Sequence, residues 1–352
     1  MASDGKISVL IVDYSSLARS LLRTIFESDG DFEVVAEAPD GVQAVEMTRR
    51  LRPDLITMDL EMPRMGGLAA IEEIMCSRAR PILVVSGVAD AEKAFTAISK
   101  GAIEVVDKPN MRSAKAIEDF IDKARLVSKI PVITMPRTKA TATSPARVAA
   151  LPPAPPLSGC ESLRILAIAS STGGPQALAA LLGGMAGPPE CPVVVAQHIS
   201  DGFASGMAQW LNSVCPLPVR LGRDGERLAP GTVYLSPSEA NMTVTPDRLI
   251  RLEERKSGQI YRPSCDSLLS SVAAVAGRDA IGLILTGMGS DGVAGMEAIS
   301  KAGGATLGQD EASSVIFGMN AIAIDKGWVQ RVLPLNDLAA ALADLLAEGE
   351  RP

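Results

Sequence analysis

Histidine is the scarcest residue of this 352-residue chain, which contains a single one, His198. Zinc sites built on several histidines are therefore excluded, and a histidine that acts as a base has to be this one. Aromatic residues make up only 3% of the chain, so no stacking platform for nucleic-acid bases is expected. The net charge of −7 also argues against nucleic acid as a main partner, because phosphate backbones require clustered Lys and Arg.

Paired cysteines and long apolar runs are also missing. The five cysteines are scattered and odd in number, which favours reduced thiols in a cytosol over a disulfide framework. The N-terminal residues show no signal-peptide pattern, and no apolar run reaches the ~18 residues of a membrane span. We therefore expect a cytoplasmic protein without membrane insertion.

The length of the chain and its apolar fraction of 47% indicate two domains. Residues 129–160 are interrupted by prolines, with Ala, Thr and Ser between them, as is typical of a linker. We expect a first domain at 1–128, a flexible linker at 129–160 and a second domain at 161–352. Strands that alternate with helices predict an α/β fold, with two doubly wound, mainly parallel-sheet domains joined by this Pro/Ala/Thr-rich linker.

The predicted strands of the first domain end in polar residues, namely Asp13, Asp59, Ser86 and Lys108. The carboxyl ends of parallel strands meet at one edge of the sheet. Two carboxylates there suit Mg²⁺, while a hydroxyl and an ammonium can bind phosphoryl oxygens, with Asp59 as the phosphoryl acceptor. The alternative for each residue alone is a strand end that meets water.

Residues 6–127 resemble a response-regulator receiver domain. The resemblance is strongest at Met-Asp-Leu-Glu-Met-Pro, residues 58–63, and at Asp-Lys-Pro, residues 107–109. It implies that Asp59 is the phosphorylation site, that Ser86 is the switch hydroxyl and that Lys108 is the lysine typical of the family.

The same resemblance implies a Mg²⁺ ion held by Asp13, Asp59 and the backbone carbonyl of Glu61. The family has two successive acids after the first strand, whereas this chain has Asp13 followed by Tyr14. A tyrosine has an unperturbed pKa of about 10 and is a poor Mg²⁺ ligand at neutral pH. We therefore expect a weakened metal site.

The second domain opens with an apolar run at 163–169, followed by two serines, a threonine, two glycines and Pro175. This pattern predicts a buried parallel strand, a tight turn and a helix that begins near the proline. Such a turn presents a hydroxyl beside free N–H groups, which is the setting of a nucleophilic serine that faces an oxyanion. The alternative is a structural or phosphate-binding loop.

Two further strand ends complete a candidate triad. One ends at His198, and the other leads into the glycine-rich turn at 287–292, which contains Asp291. A serine needs a base, and a buried acid fixes the tautomer of that base. Individually, Ser171 could bind a phosphate, His198 could simply end a strand and Asp291 could cap the helix that begins at Val293. Their joint occurrence favours a Ser-His-Asp triad.

The order Ser…His…Asp differs from that of lipases and esterases of the α/β-hydrolase type, and the first glycine of G-x-S-x-G is missing. Residues 163–345 instead resemble the catalytic domain of chemotaxis protein-glutamate methylesterases. The motifs that carry the resemblance lie at 171–174, 197–198, 224–226, 262–264, 285–292 and 309–313.

By this resemblance Ser171 is the nucleophile, His198 the general base and Asp291 its orienting acid, with Ser170 in the slot of a small residue. Backbone N–H groups near Thr172 and Met288 would hold the oxyanion. The esterase chemistry requires no cofactor. Receiver, linker and catalytic domain in this order form the architecture of the whole family.

The resemblance implies a phosphorylation-regulated hydrolase that demethylates glutamate methyl esters on methyl-accepting chemoreceptors. Deamidation of receptor glutamines is a further activity of the family, and a chemotaxis histidine kinase would be the phosphodonor. The unphosphorylated receiver would cover the catalytic cleft. The alternative is a non-catalytic signalling adaptor with a degenerate receiver.

We predict that Asp59 is phosphorylated more slowly than in an ordinary receiver, or only at higher Mg²⁺, because Tyr14 replaces an acidic ligand. Incubation with acetyl phosphate over a Mg²⁺ titration measures this, and the Tyr14→Asp variant should be phosphorylated faster. Phosphorylation at ordinary millimolar Mg²⁺ that is unchanged in Tyr14→Asp would contradict the prediction.

Overall fold

The computed structural model describes residues 5–109, 113–134, 164–185, 187–255 and 258–347. The chain divides into two compact units, with the boundary between Thr141 and Ala142. Each unit is an α/β domain with a mainly parallel sheet, which confirms the predicted fold class. The predicted domain boundaries remain predictions, because residues 135–160 of the expected linker lie outside the described ranges.

Within the described ranges, none of the helices combines the length and the apolar character that crossing a membrane would require.

The first unit alternates strands and helices along the chain. Its strands are β1 (Ile7–Val12), β2 (Phe32–Ala38), β3 (Leu55–Met58), β4 (Ile82–Ser86) and β5 (Glu104–Asp107). Its α-helices are α1 (Ser16–Asp29), α2 (Gly41–Leu51), α3 (Gly67–Arg78), α4 (Ala91–Ser99) and α5 (Ala114–Ser128).

The sheet of the first unit has the order β2-β1-β3-β4-β5, with every neighbouring pair parallel. The strand order reverses between β1 and β3, and such a reversal opens a crevice at the carboxyl ends of the strands. Asp13 follows β1 and Asp59 follows β3, so both carboxylates lie at this crevice.

The strands of the second unit are β6 (Ile165–Ser170), β7 (Val193–Gln197), β8 (Val219–Leu221), β9 (Val233–Leu235), β10 (Ala240–Val244), β11 (Ile250–Glu254), β12 (Ala280–Ile284), β13 (Ala305–Gln309) and β14 (Arg331–Leu333). Its α-helices are α6 (Gly174–Gly183), α7 (Ala204–Val214), α8 (Cys265–Ala276), α9 (Val293–Lys301), α10 (Met319–Asp325) and α11 (Leu335–Ala347).

The main sheet of the second unit has the order β14-β13-β12-β6-β7-β9-β8 and is parallel throughout. Among the strands of the described residues, β10 and β11 are the pair that runs antiparallel. The sequence had not revealed β14, because this edge strand of three residues is largely exposed and has no apolar run.

β6 organises the second sheet, because the chain extends from it first towards β7 and later returns on its other side with β12. All six residues of β6 are buried, as expected for a central parallel strand. The crevice at a reversal of strand order therefore lies at the carboxyl end of β6. Ser171 and His198 follow β6 and β7 directly, while Asp291 lies in the longer loop after β12.

Helices α8 and α9 approach each other closely at Gly295, where an added Cβ would overlap the Cβ of Leu269. We predict that Gly295→Ala destabilises the second unit by about 1–3 kcal/mol, because the overlap outweighs the better helix propensity of alanine. Urea unfolding followed by circular dichroism measures the difference.

The matched control is Gly183→Ala at the end of α6, where an added Cβ meets no atom within 4 Å. That variant should be neutral or more stable by up to about 1 kcal/mol. Equal effects of the two substitutions would show that the helix contact does not restrict position 295.

Candidate active site

Ser171 lies in the turn between β6 and α6. The amide of Ser171 donates to the carbonyl oxygen of Thr286 at 3.0 Å, which fastens the turn to the end of β12. Gly173 has a φ of +79°, and α6 begins at the next residue with Pro175 in its first turn, as the sequence predicts. The hydroxyl of Ser171 forms no hydrogen bond within the described residues, so it remains available to a substrate.

Two backbone amides near Ser171 can stabilise an oxyanion. Within the described part of the chain, neither Thr172 N nor Met288 N donates to another protein group. The approach of Met288 to the serine depends on the preceding glycine, because a Cβ on Gly287 would lie 2.5 Å from the Cβ of Ser171. Free amides beside a serine hydroxyl match the requirement of acyl transfer.

His198 is placed by the pairing of β6 and β7, since its backbone amide donates to the carbonyl of Ser170 at 3.0 Å. Its ring atom Nε2 lies 2.8 Å from Asp291 Oδ2. An ionised carboxylate only accepts hydrogen bonds, so Nε2 carries the proton of the neutral ring. Nδ1 is therefore left as the acceptor that a general base needs.

Asp291 is buried, and four donors surround its carboxylate. Oδ2 accepts from His198 Nε2 at 2.8 Å and from Cys265 N at 2.6 Å, and Oδ1 accepts from Asp266 N at 3.0 Å and from Ser264 Oγ at 3.2 Å. Burial alone would raise the pKa of Asp291, but the bonds from His198 and from the two amides outweigh burial and lower it. Asp291 is therefore ionised at neutral pH.

The alternative role of Asp291 as the cap of α9 is wrong. Asp291 does not cap α9, whose N-cap residue is Gly292. Its carboxylate binds the first two amides of α8 instead. The N-cap residue of α8 is Ser264, since Ser264 Oγ accepts from Ser267 N at 3.2 Å.

In the first unit, Asp13, Asp59 and Lys108 come together at the crevice between β1 and β3. Lys108 Nζ lies 2.7 Å from Asp13 Oδ2 and 3.5 Å from Asp59 Oδ1. Ser86 lies at the end of β4, and its buried hydroxyl has no hydrogen-bond partner in the described residues.

Asp59 has little stabilisation for its charge. Oδ1 accepts from Leu60 N at 3.0 Å, while the buried Oδ2 has no partner within the described ranges. Burial, followed by the charge of Asp13, raises the pKa of Asp59 to about 6 against the opposing effect of Lys108. A carboxylate oxygen without a hydrogen-bond donor, at the carboxyl edge of the sheet, has the chemistry that a phosphoryl acceptor needs.

Comparison with known proteins assigns both units to known families. Residues 166–342 match the CheB methylesterase family and residues 9–118 match the response regulator receiver domain. A protein-glutamate methylesterase/protein-glutamine glutaminase 3 of Paramagnetospirillum magneticum is 68% identical, with 98% of each chain covered. The chain belongs to the CheB methylesterase family.

A relative of the same name from Myxococcus xanthus is 40% identical, and the match covers 95% of this chain and 92% of the relative. The crystal structure of the CheB methylesterase catalytic domain of Thermotoga maritima is 32% identical with a TM-score of 0.49. It matches 52% of this chain and 98% of that domain.

Tyr261, which is not among the predicted site residues, packs against the candidate base. Its ring stacks on His198 with centroids 5.0 Å apart and planes at 18°. Gly289 has a φ of +90° and lies so close that an added Cβ would overlap the Tyr261 hydroxyl. The only sequence signal was its position directly before the family motif at 262–264.

Cys265 is a second neighbour of the base that is not among the predicted site residues. Its Sγ lies 3.4 Å from His198 Nε2. Burial, reinforced by the charge of Asp291, raises the pKa of this thiol well above its usual range. Cys265 is therefore a protonated packing partner of the imidazole and does not compete with serine as a nucleophile.

Gln197 distinguishes the two adjacent serines. Its Nε2 donates to the carbonyls of Ser171 and His198 at 2.8 and 2.9 Å, and its Oε1 accepts from Ser170 Oγ at 2.6 Å. The Ser170 hydroxyl is thus fully buried and already bonded, which supports Ser171 as the nucleophile.

The oxygen ligands at the crevice of the first unit fit a Mg²⁺ ion, which receiver domains generally bind. The carboxylates of Asp13 and Asp59 supply oxygen ligands, and Asp59 Oδ2 has no protein partner in the described ranges. Tyr14 adds no carboxylate, and its side chain is 57% exposed. The donor set is therefore suitable for Mg²⁺ but smaller than in the family pattern.

We predict that Asp59→Asn stabilises the receiver in metal-free buffer above pH 6, because it removes the cost of ionising a buried carboxyl. The wild-type pKa of about 6, against 3.8 for a free aspartate, limits the gain to about 3 kcal/mol. A raised carboxyl pKa costs stability above that pKa, so the gain should disappear as the pH falls towards 4.

Urea unfolding at pH 8 and at pH 4.5 measures the effect, with Asp119→Asn as the control. Asp119 is an exposed acid of the same unit, and its substitution should be nearly neutral at both pH values. A gain for Asp59→Asn that is equal at the two pH values would rule out burial of the charge as its cause.

Proposed function

We propose that this chain is a protein-glutamate methylesterase that also deamidates glutamines, with methyl-accepting chemoreceptors as its substrates. Its relatives carry both activities in their names and align over nearly the whole chain. The observation that carries the proposal is the hydrogen bond of 2.8 Å between His198 Nε2 and Asp291 Oδ2, at the sheet edge where Ser171 also lies. The protein would act in the cytoplasm.

Ser171 is the nucleophile. Its Oγ attacks the carbonyl carbon of the glutamate methyl ester, while His198 Nδ1 takes the hydroxyl proton. The ionised Asp291 stabilises the imidazolium that forms, and the amides of Thr172 and Met288 bind the oxyanion. When the tetrahedral intermediate collapses, His198 returns the proton to the methoxide, and methanol leaves.

Deacylation repeats these roles with water. His198 takes a proton from the water molecule, which attacks the acyl-serine carbon, and then returns that proton to Ser171 Oγ. The products are the glutamate side chain and the free enzyme. A glutamine amide follows the same course with ammonia as the leaving group, so one site serves both reactions.

The receiver regulates this site through phosphorylation of Asp59 by a chemotaxis histidine kinase. Asp13, Asp59 and the backbone carbonyl of Glu61 would hold Mg²⁺, which would supply positive charge against the phosphoryl oxygens. Lys108 binds a phosphoryl oxygen, and Ser86 binds another once Asp59 is modified. The absence of an acid at position 14 predicts that this control is weaker than in a receiver with the full acid pair.

We predict that Ser171→Ala lowers methanol release from methylated receptors by at least about 1,000-fold, because it removes the proposed nucleophile while the adjacent Ser170 hydroxyl is bonded to Gln197. Methanol release is measured with and without acetyl phosphate. Ser170→Ala is the matched control, and it should retain most of the activity, since the Ser170 hydroxyl only donates to Gln197.

Labelling with a serine-directed fluorophosphonate separates an enzyme from an adaptor. The wild type and Ser170→Ala should be labelled, and Ser171→Ala should not. Undiminished methanol release by Ser171→Ala would refute the assignment, and loss of activity only in Ser170→Ala would move the nucleophile to that residue.

A further inference from the structure

Helices α8 and α9 begin side by side, and each is capped by an acid that belongs to the start of the other. Asp291, two residues before α9, binds the amides of Cys265 and Asp266 in α8. In return Asp266 Oδ1 accepts from Gly292 N and from Gly295 N, each at 2.8 Å. These four hydrogen bonds, together with the bond from Ser264 Oγ to Asp291 Oδ1, tie the two helix starts to each other.

Asp266 is the only side chain that caps α9 within the described residues, because the N-cap residue Gly292 has no side chain to do so. Gly292 directly follows Asp291 and has a φ of +105°, a conformation that other residues rarely adopt. The Asp266 carboxylate thus holds the backbone immediately after the acid of the triad.

We propose that Asp266 is a positioning residue of the esterase site, which keeps Asp291 against His198 by fixing the amides of Gly292 and Gly295. The inference rests on the proposed function of the triad. Without this acceptor the first turn of α9 loses its cap, and the loop that carries Asp291 and Met288 loses its fixed end.

The role depends on an acceptor oxygen rather than on a negative charge. Asp266 is partly buried beside Asp291, and burial together with the Asp291 charge raises the pKa of Asp266. A second negative charge beside Asp291 therefore destabilises the folded protein. The capping itself requires only Oδ1, which accepts from Gly292 N and Gly295 N. An asparagine offers the same oxygen at the same distance without the charge, so it should replace Asp266 well.

The test compares Asp266→Ala and Asp266→Asn in the full chain, with kcat and KM measured from methanol release. We predict that Asp266→Ala lowers kcat by about 10–100-fold, because small displacements of catalytic groups have effects of this size. KM should stay within about threefold, since Asp266 does not touch substrate. Asp266→Asn should keep kcat within about threefold of the wild type.

The matched control is Asp337→Ala, which removes an exposed acid from the first turn of α11 in the same unit. It should leave kcat unchanged. If Asp266→Ala does not fold, Asp266→Glu replaces it, because glutamate keeps the charge but moves the oxygen by one methylene. Positioning then predicts lower kcat for Asp266→Glu than for Asp266→Asn.

A second measurement is independent of substrate. His198 is the only histidine of the chain, so its imidazole resonances in a ¹⁵N-labelled sample need no further assignment. The wild type and Asp266→Asn should show a downfield Nε2 proton bonded to Asp291, and Asp266→Ala should shift or broaden it.

Full activity and an unchanged imidazole spectrum in Asp266→Ala would overturn the inference, as would an asparagine variant as poor as the alanine variant. Ser171→Ala is assayed in parallel. If Ser171→Ala is inactive while Asp266→Ala is normal, only the role of Asp266 fails. If Ser171→Ala is fully active, the proposed function itself fails.

Discussion

The catalytic half depends on how one buried charge is stabilised. Removing a carboxylate from water is very costly unless hydrogen bonds replace those of the solvent. Asp291 is 5% exposed, and the replacement bonds come from His198, from Ser264 and from the first two amides of α8. Because the N-terminus of a helix carries partial positive charge, α8 has to begin at this place.

Close packing around the serine imposes a second constraint, which explains the glycines of the two motifs. A Cβ at Gly174 would overlap Oε1 of Gln197, the residue that joins the carbonyls of Ser171 and His198. A Cβ at Gly287 would meet Ser171 itself. These glycines allow three strand ends to approach closely enough for one hydroxyl, one imidazole and one carboxylate to share an edge.

The strand ends were predictable because they depend on local patterns. Apolar runs that stop at Ser170, Gln197 and Asp13 mark buried parallel strands, and parallel strands place their carboxyl ends together. The capping of each helix start by an acid from the other was not predictable. Asp266 and Asp291 are 25 residues apart in sequence. Each carboxylate accepts from amides at the start of the other helix, and these bonds depend on the packing of α8 against α9. The stacking of Tyr261 on His198 likewise arises only from tertiary contact.

Each of the two sheets places a buried aspartate at the same kind of crevice. The two carboxylates differ in the number of their hydrogen-bond donors and in the direction of their pKa shifts. The Asp291 carboxylate has donors on both oxygens, which lower its pKa and suit a group that stays ionised beside His198. Asp59 Oδ2 has no donor in the described ranges, and burial raises the pKa of this acid to about 6. A carboxylate left short of donors retains its nucleophilicity and gains most from a bound cation. The missing acid at Tyr14 therefore affects the receiver, whereas the carboxylate of Asp291 already has its donors within the protein.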